Sequence, residues 1–109
     1  MEENNKTILV IDDEEAIVLL LETILGIYGY RCVSCHSPRK AMETAKNTRP
    51  DLIILDIAMP EIDGYEVCLG LKKDPETKQI PIVMVTALAL IQDKKKGLEC
   101  GADGFIFKP

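Results

Sequence analysis

Apolar residues recur along the chain in two rhythms. Runs at Ile8 to Ile11, Leu52 to Leu55 and Ile82 to Val85 are short, rich in β-branched residues and bounded by polar ones. Such runs predict strands buried on both faces. Arg31 to Ser34 and Phe105 to Phe107 predict two more short strands. Between them the period lengthens. From Ala16 to Tyr28, apolar residues at 17, 20, 21, 24, 25 and 28 predict a helix that stops at Gly29. Ser37-Pro38 reads as the cap and first turn of a second helix through about Lys46. Gly64 to Lys73 predicts a third, closed by Asp74-Pro75, and Ile91 to Cys100 a fourth, closed by Gly101. Five strands alternating with four helices, without hairpin signals, predict an α/β fold: a doubly wound parallel sheet with helices on both faces.

The 109 residues, 47% of them hydrophobic, suit one domain. The polar start, and the lack of any apolar run near the roughly 20 residues of a membrane span, predict a soluble cytoplasmic protein with no membrane partner. A net charge of −5 argues against direct nucleic-acid binding, since phosphate backbones select basic surfaces. Cys32 and Cys35 form a C-x-x-C, but on a strand residues three apart point to opposite faces, so neither a metal site nor a redox pair is expected. The four cysteines read as small buried hydrophobes in a reducing compartment.

Polar residues follow the strands where an open α/β sheet builds its sites, at the carboxyl ends. Asp12 and Asp13 follow the first strand, Asp56 the third, Thr86 the fourth and Lys108 the fifth. Clustered carboxylates repel unless a cation neutralises them, and hard oxygen ligands favour Mg²⁺, with Mn²⁺ possible. Mg²⁺ commonly completes its shell with phosphate oxygens, a lysine would counter the remaining phosphate charge, and a carboxylate can act as nucleophile. Turn preference for Asp accounts for any one of these positions but not for the set.

Four stretches resemble motifs of the receiver domain of bacterial two-component response regulators. They are Leu9-Val10-Ile11-Asp12-Asp13-Glu14, Asp56-Ile57-Ala58-Met59-Pro60 with Ile62-Asp63-Gly64, Val85-Thr86-Ala87, and Gly101-Ala102-Asp103-Gly104 with Lys108-Pro109. The resemblance implies a flavodoxin-like sheet of order 2-1-3-4-5 and a single receiver domain over residues 1–109. It also implies that Asp56 accepts a phosphoryl group from a sensor histidine kinase, a phosphotransfer protein or a small phosphodonor. Asp12, Asp13, Asp56 and the Ala58 carbonyl would hold Mg²⁺; Lys108, Thr86 and the Ala87 N–H would bind phosphoryl oxygens. Thr86 and Phe105 would act as the switch that repacks the surface around the fourth helix. Such a domain assists its own phosphotransfer and dephosphorylation without being an enzyme on other substrates.

Met59-Pro60 and Gly64 read as scaffold, His36 as a surface residue, and Lys94 to Lys96 as a solvated helix face in a region where family members meet partners. The chain stops where the family continues into a fifth helix, so the fold is expected without it. The exposed apolar face would suit either a fragment of a longer protein or a chain completed by homodimerisation. Leu88, Leu90 and Ile91 make an apolar loop after Thr86 that would shield the phosphate or meet a partner. Two other functions fit less well. A phosphohydrolase of the haloacid dehalogenase type needs an acid where Ala58 stands, and a phosphate-independent interaction module leaves the full acidic and lysine set unexplained.

Overall fold

A computed structural model describes residues 5–57, 63–86 and 99–107, with Pro38 and Thr86 described through their backbone alone. Five strands, β1 (Thr7–Ile11), β2 (Arg31–Cys35), β3 (Leu52–Asp56), β4 (Ile82–Thr86) and β5 (Gly104–Phe107), form one sheet of order β2-β1-β3-β4-β5. Every pairing is parallel. The helices are α1 (Glu15–Ile27), α2 (Ala41–Thr48) and α3 (Gly64–Lys73), so the chain alternates strand and helix as its periodicity predicts.

Strand alternation divides the core in two. Leu9, Ile11, Ile53, Leu55, Ile82 and Met84 face Ala41 and Ala45 of α2 and Cys68 and Leu71 of α3. Ile8 and Val10 face the other way, against Val18 of α1, with Leu21, Leu25, Cys32 and Ile54 packed around them. Cys32 and Cys35 therefore belong to opposite faces, and all four cysteines are free thiols. Burial, and then the charge of Glu22, pushes the Cys32 thiol up to about 11.

The two faces are not equally covered. Beyond α1, a groove lined by Ile17, Leu20, Leu21, Ile54, Val85 and Ile106 runs towards β5. Leu20 and Ile106 each keep more than half of their surface exposed, at 52% and 55%. An apolar strip of this face is therefore open to solvent.

Local chemistry explains the helix ends. At the end of α1, Gly29 takes φ 84°, which a residue with a Cβ resists, and the Tyr30 N–H reaches back to the Leu25 carbonyl at 3.0 Å. Asp74 is extended before Pro75 and closes α3 as predicted. The second helix departs from expectation. Pro38–Lys40 form a 3₁₀ turn held by the Lys40 N–H to the Ser37 carbonyl at 3.1 Å, so α2 begins at Ala41 rather than at the serine cap. It also runs on to Thr48 and ends with Arg49 in a left-handed conformation, φ 47°. No described helix is long and apolar enough to cross a membrane.

Candidate functional site

The parallel sheet sends its carboxyl ends to one rim. The β1–β2 ladder continues into the Asp12 N–H, which donates to the Cys35 carbonyl at 3.2 Å. The β3–β4 ladder likewise continues past Asp56, with the Ile57 N–H donating to the Val85 carbonyl at 3.1 Å. Asp12, Asp13 and Asp56 are thereby brought together although 44 positions separate the first from the last, and each offers a carboxylate oxygen within 4.8 Å of the others. Asp12 and Asp56 are each only 2% exposed, while Asp13 is half-buried. Asp12 is further oriented by the Glu14 N–H, which donates to its carboxylate at 2.9 Å.

Two buried carboxylates and a third beside them are costly in a medium of low dielectric. The donors are all oxygen, with no imidazole or thiol among them. That set fits a hard divalent cation, Mg²⁺ or Mn²⁺, better than zinc or copper.

Gly64 places the start of α3 against this rim. A Cβ there would stand 2.6 Å from the Asp56 carbonyl oxygen and 2.6 Å from the Ile57 Cα, both backbone atoms that cannot rotate away. The Gly64 N–H also donates to the Ile57 carbonyl at 3.1 Å. Asp63 caps the helix, accepting the Tyr65 N–H at 2.9 Å. Sequence reading took Gly64 as a tight helix entry; the structure shows that this entry abuts the backbone of the central aspartate.

The remaining predicted residues divide by position. Thr86 is the last residue of β4, in register with Phe107. Phe105 pairs with Met84 and packs, half-buried, on the α2 and α3 side of the sheet, its ring centroid 5.3 Å from that of Phe107. Ala58, Ala87 and Lys108 lie outside the described residues, as do Leu88, Leu90, Ile91 and Lys94 to Lys96. Of the fourth predicted helix only Glu99 is described as helical.

Sequence reading missed the fastening of the opposite rim. Lys72, in the last turn of α3, donates to the Ile80 carbonyl at 2.8 Å and to Asp103 at 2.7 Å. The same Asp103 oxygen accepts the Ile82 N–H at 2.9 Å. The Lys72 ammonium, and then the Ile82 N–H, hold the Asp103 carboxyl below its ordinary value against the cost of burial. Nearby, Thr77 is fully buried and donates to the Leu71 carbonyl at 2.6 Å. No local pattern marks either: Thr77 is buried between exposed Glu76 and Lys78, in a stretch of polar residues.

The response regulator receiver domain model matches residues 8–109. The chain is 44% identical over 105 residues to the alkaline phosphatase synthesis transcriptional regulatory protein PhoP of Bacillus subtilis, covering 96% of this chain and 43% of that protein. It is 42% identical over 102 residues to the DNA-binding dual master transcriptional regulator RpaA of Synechocystis, covering 94% of this chain and 42% of that protein. It thus spans less than half the length of these relatives. Among solved structures, the N-terminal domain of a response regulator receiver protein from Methanoculleus marisnigri superposes with a TM-score of 0.86 at 38% identity, over 94% of this chain and 84% of that one. Sheet order, acidic rim and sequence agree: the chain belongs to the response regulator receiver domain family, whose members work in phosphorylation-based signalling.

Proposed function

We propose that this domain receives a phosphoryl group on Asp56 from a histidine kinase, a phosphotransfer protein or a small phosphodonor. The observation that carries this reading is the burial of Asp56 at the carboxyl end of the central strand, with the Asp12 and Asp13 carboxylates within 4.8 Å. An Asp56 carboxylate oxygen attacks phosphorus, forming the acyl–phosphate bond as the bond from phosphorus to the donor's imidazole nitrogen or oxygen breaks. Asp12 and Asp13, with Asp56 and the Ala58 carbonyl, would hold Mg²⁺. Bound there, Mg²⁺ supplies charge neutralisation for the carboxylates and the incoming phosphoryl oxygens.

The protein's own contribution is position. The β1 and β3 ladders fix the aspartates, and Gly64 lets α3 close against them. Thr86, Lys108 and the Ala87 N–H would meet the phosphoryl oxygens, and Thr86 with Phe105 would relay the change to the fourth helix. The domain, residues 1–109, assists its own phosphorylation and dephosphorylation and acts on no other substrate. A cytoplasmic location suits a kinase partner of this kind. The relatives' names describe transcriptional regulators, and with a net charge of −5 any DNA contact belongs to other residues than these. The apolar groove beside α1 suits self-association, which light scattering at increasing concentration would report.

The test is to incubate the domain with acetyl phosphate and Mg²⁺ and measure intact mass. Wild type should gain one phosphoryl group and Asp56→Asn none. An unchanged wild-type mass rejects the reading and leaves an interaction module, while a gain that persists in Asp56→Asn rejects Asp56 as the acceptor.

A further inference from the structure

Away from the acidic rim, three sulfur-bearing side chains meet under α3. Cys68 lies on the buried face of that helix, Met84 in the middle of β4, and Cys100 in the turn before Gly101. The Cys100 Sγ lies 3.9 Å from the Met84 Sδ. The Cys68 thiol donates to the Cys100 carbonyl at 3.6 Å and is also hydrogen-bonded to the Cys100 thiol. Cys68 and Met84 are fully buried and Cys100 is 8% exposed.

The geometry points to a site for a thiophilic monovalent cation, Cu(I), ligated by the Cys68 and Cys100 thiolates and the Met84 thioether. Two thiolates and a thioether are a soft donor set, which selects Cu(I) over the hard cations suited to the aspartates. Size agrees as well. Two sulfurs 3.9 Å apart, as those of Cys100 and Met84 are, can both reach an ion placed about 2.3 Å from each, the usual metal–thiolate length.

Access is provided from one side. A surface groove of about 300 Å³, lined by Asp63, Tyr65, Glu66, Leu69, Glu99 and Cys100, ends on the one member of the trio that reaches solvent. Its three carboxylates would gather cations at the mouth, and the dry interior behind protects Cu(I) from water and oxygen. On entry, Cu⁺ forms bonds to two sulfurs and displaces two thiol protons to solvent, the Met84 sulfur donates a lone pair, and no electron is transferred. Because ligation releases two thiol protons, retention should strengthen as pH rises.

The test is to supply Cu(I) anaerobically, challenge the protein with bicinchoninate, and count retained copper by native mass spectrometry. Wild type, Cys32→Ser and Cys35→Ser should keep one ion, while Cys68→Ser and Cys100→Ser keep none. Met84→Leu, which preserves volume, should lower affinity roughly 10–100-fold, the range for losing a supporting contact at a metal site. X-ray absorption on copper-loaded wild type, which depends on no variant folding, should show three sulfur neighbours. Copper lost entirely to bicinchoninate, retained equally without Cys68 or Cys100, or bound by fewer than three sulfurs overturns the proposal.

Discussion

Lys72 and Asp103 stand 31 residues apart and meet at 2.7 Å, joining the last turn of α3 to the approach to β5. Asp103 also receives the Ile82 N–H, so one carboxylate ties α3, β4 and β5 together at the rim opposite the aspartate cluster. Asp103 is half exposed, so solvent screens the ion pair and it contributes little alone. With the backbone hydrogen bond included, Asp103→Ala should cost roughly 1 kcal/mol in urea unfolding.

The same pair carries a pH signature. The folded Asp103 carboxyl is held below its ordinary value, chiefly by Lys72, so its contribution is complete above the unfolded value, about 3.9. It is lost as pH falls through the folded value. The stability difference between wild type and Asp103→Asn should therefore be present at pH 7 and shrink at pH 3. A difference that grows on acidification would contradict the assignment.

Gly64→Ala tests the contact of α3 with the acidic rim. The added carbon would meet backbone at 2.6 Å on two sides, so relief requires α3 or the Asp56 segment to shift. A loss of roughly 1–3 kcal/mol is expected, the range for overpacking, together with slower phosphorylation by acetyl phosphate. Ala at Gly26, which has open space around it, is the control that should leave phosphorylation unchanged.

Repulsion within the aspartate cluster should be visible without any phosphodonor. In EDTA, Asp13→Asn should stabilise the fold by about 1 kcal/mol, or roughly 4–8 °C in Tm for a domain of this size. Mg²⁺ should raise the wild-type Tm by mass action and raise that of the variant less. Calorimetry with and without Mg²⁺ measures both.

Cys32 offers an independent check on the α1 face. With its thiol at about 11 rather than 9.0, its thiolate fraction at pH 8 is roughly 100-fold lower than for a free cysteine. Iodoacetamide should alkylate it correspondingly slowly, and faster after urea unfolding.

How much of this was legible in the sequence varied with the kind of interaction. The strands and α1 were, because apolar period and a glycine stop are local signals. The order of the strands was not. Nothing in Ile8 to Ile11 says that its neighbours are β2 and β3, and resemblance supplied what periodicity lacked. Ser37-Pro38 misled because a good cap is a propensity, and here the chain spends three residues in a 3₁₀ turn before α2 starts. The aspartates could be placed by the rule that sites gather at strand ends. The Lys72 to Asp103 tie, and the cost of a Cβ at Gly64, depend on distances between segments that no local pattern encodes.

The acidic rim is contributed by strands whose pairing partners are distant in sequence, Ile11 beside Leu55 and Leu55 beside Met84. Those pairings draw on the chain from β1 to β4. In refolding, contacts of such long range form slowly and late. If Asp56 is the acceptor proposed above, phosphorylation would therefore serve as a clock for folding: a nascent chain in which β1, β3 and β4 have not yet paired would be silent to a phosphodonor.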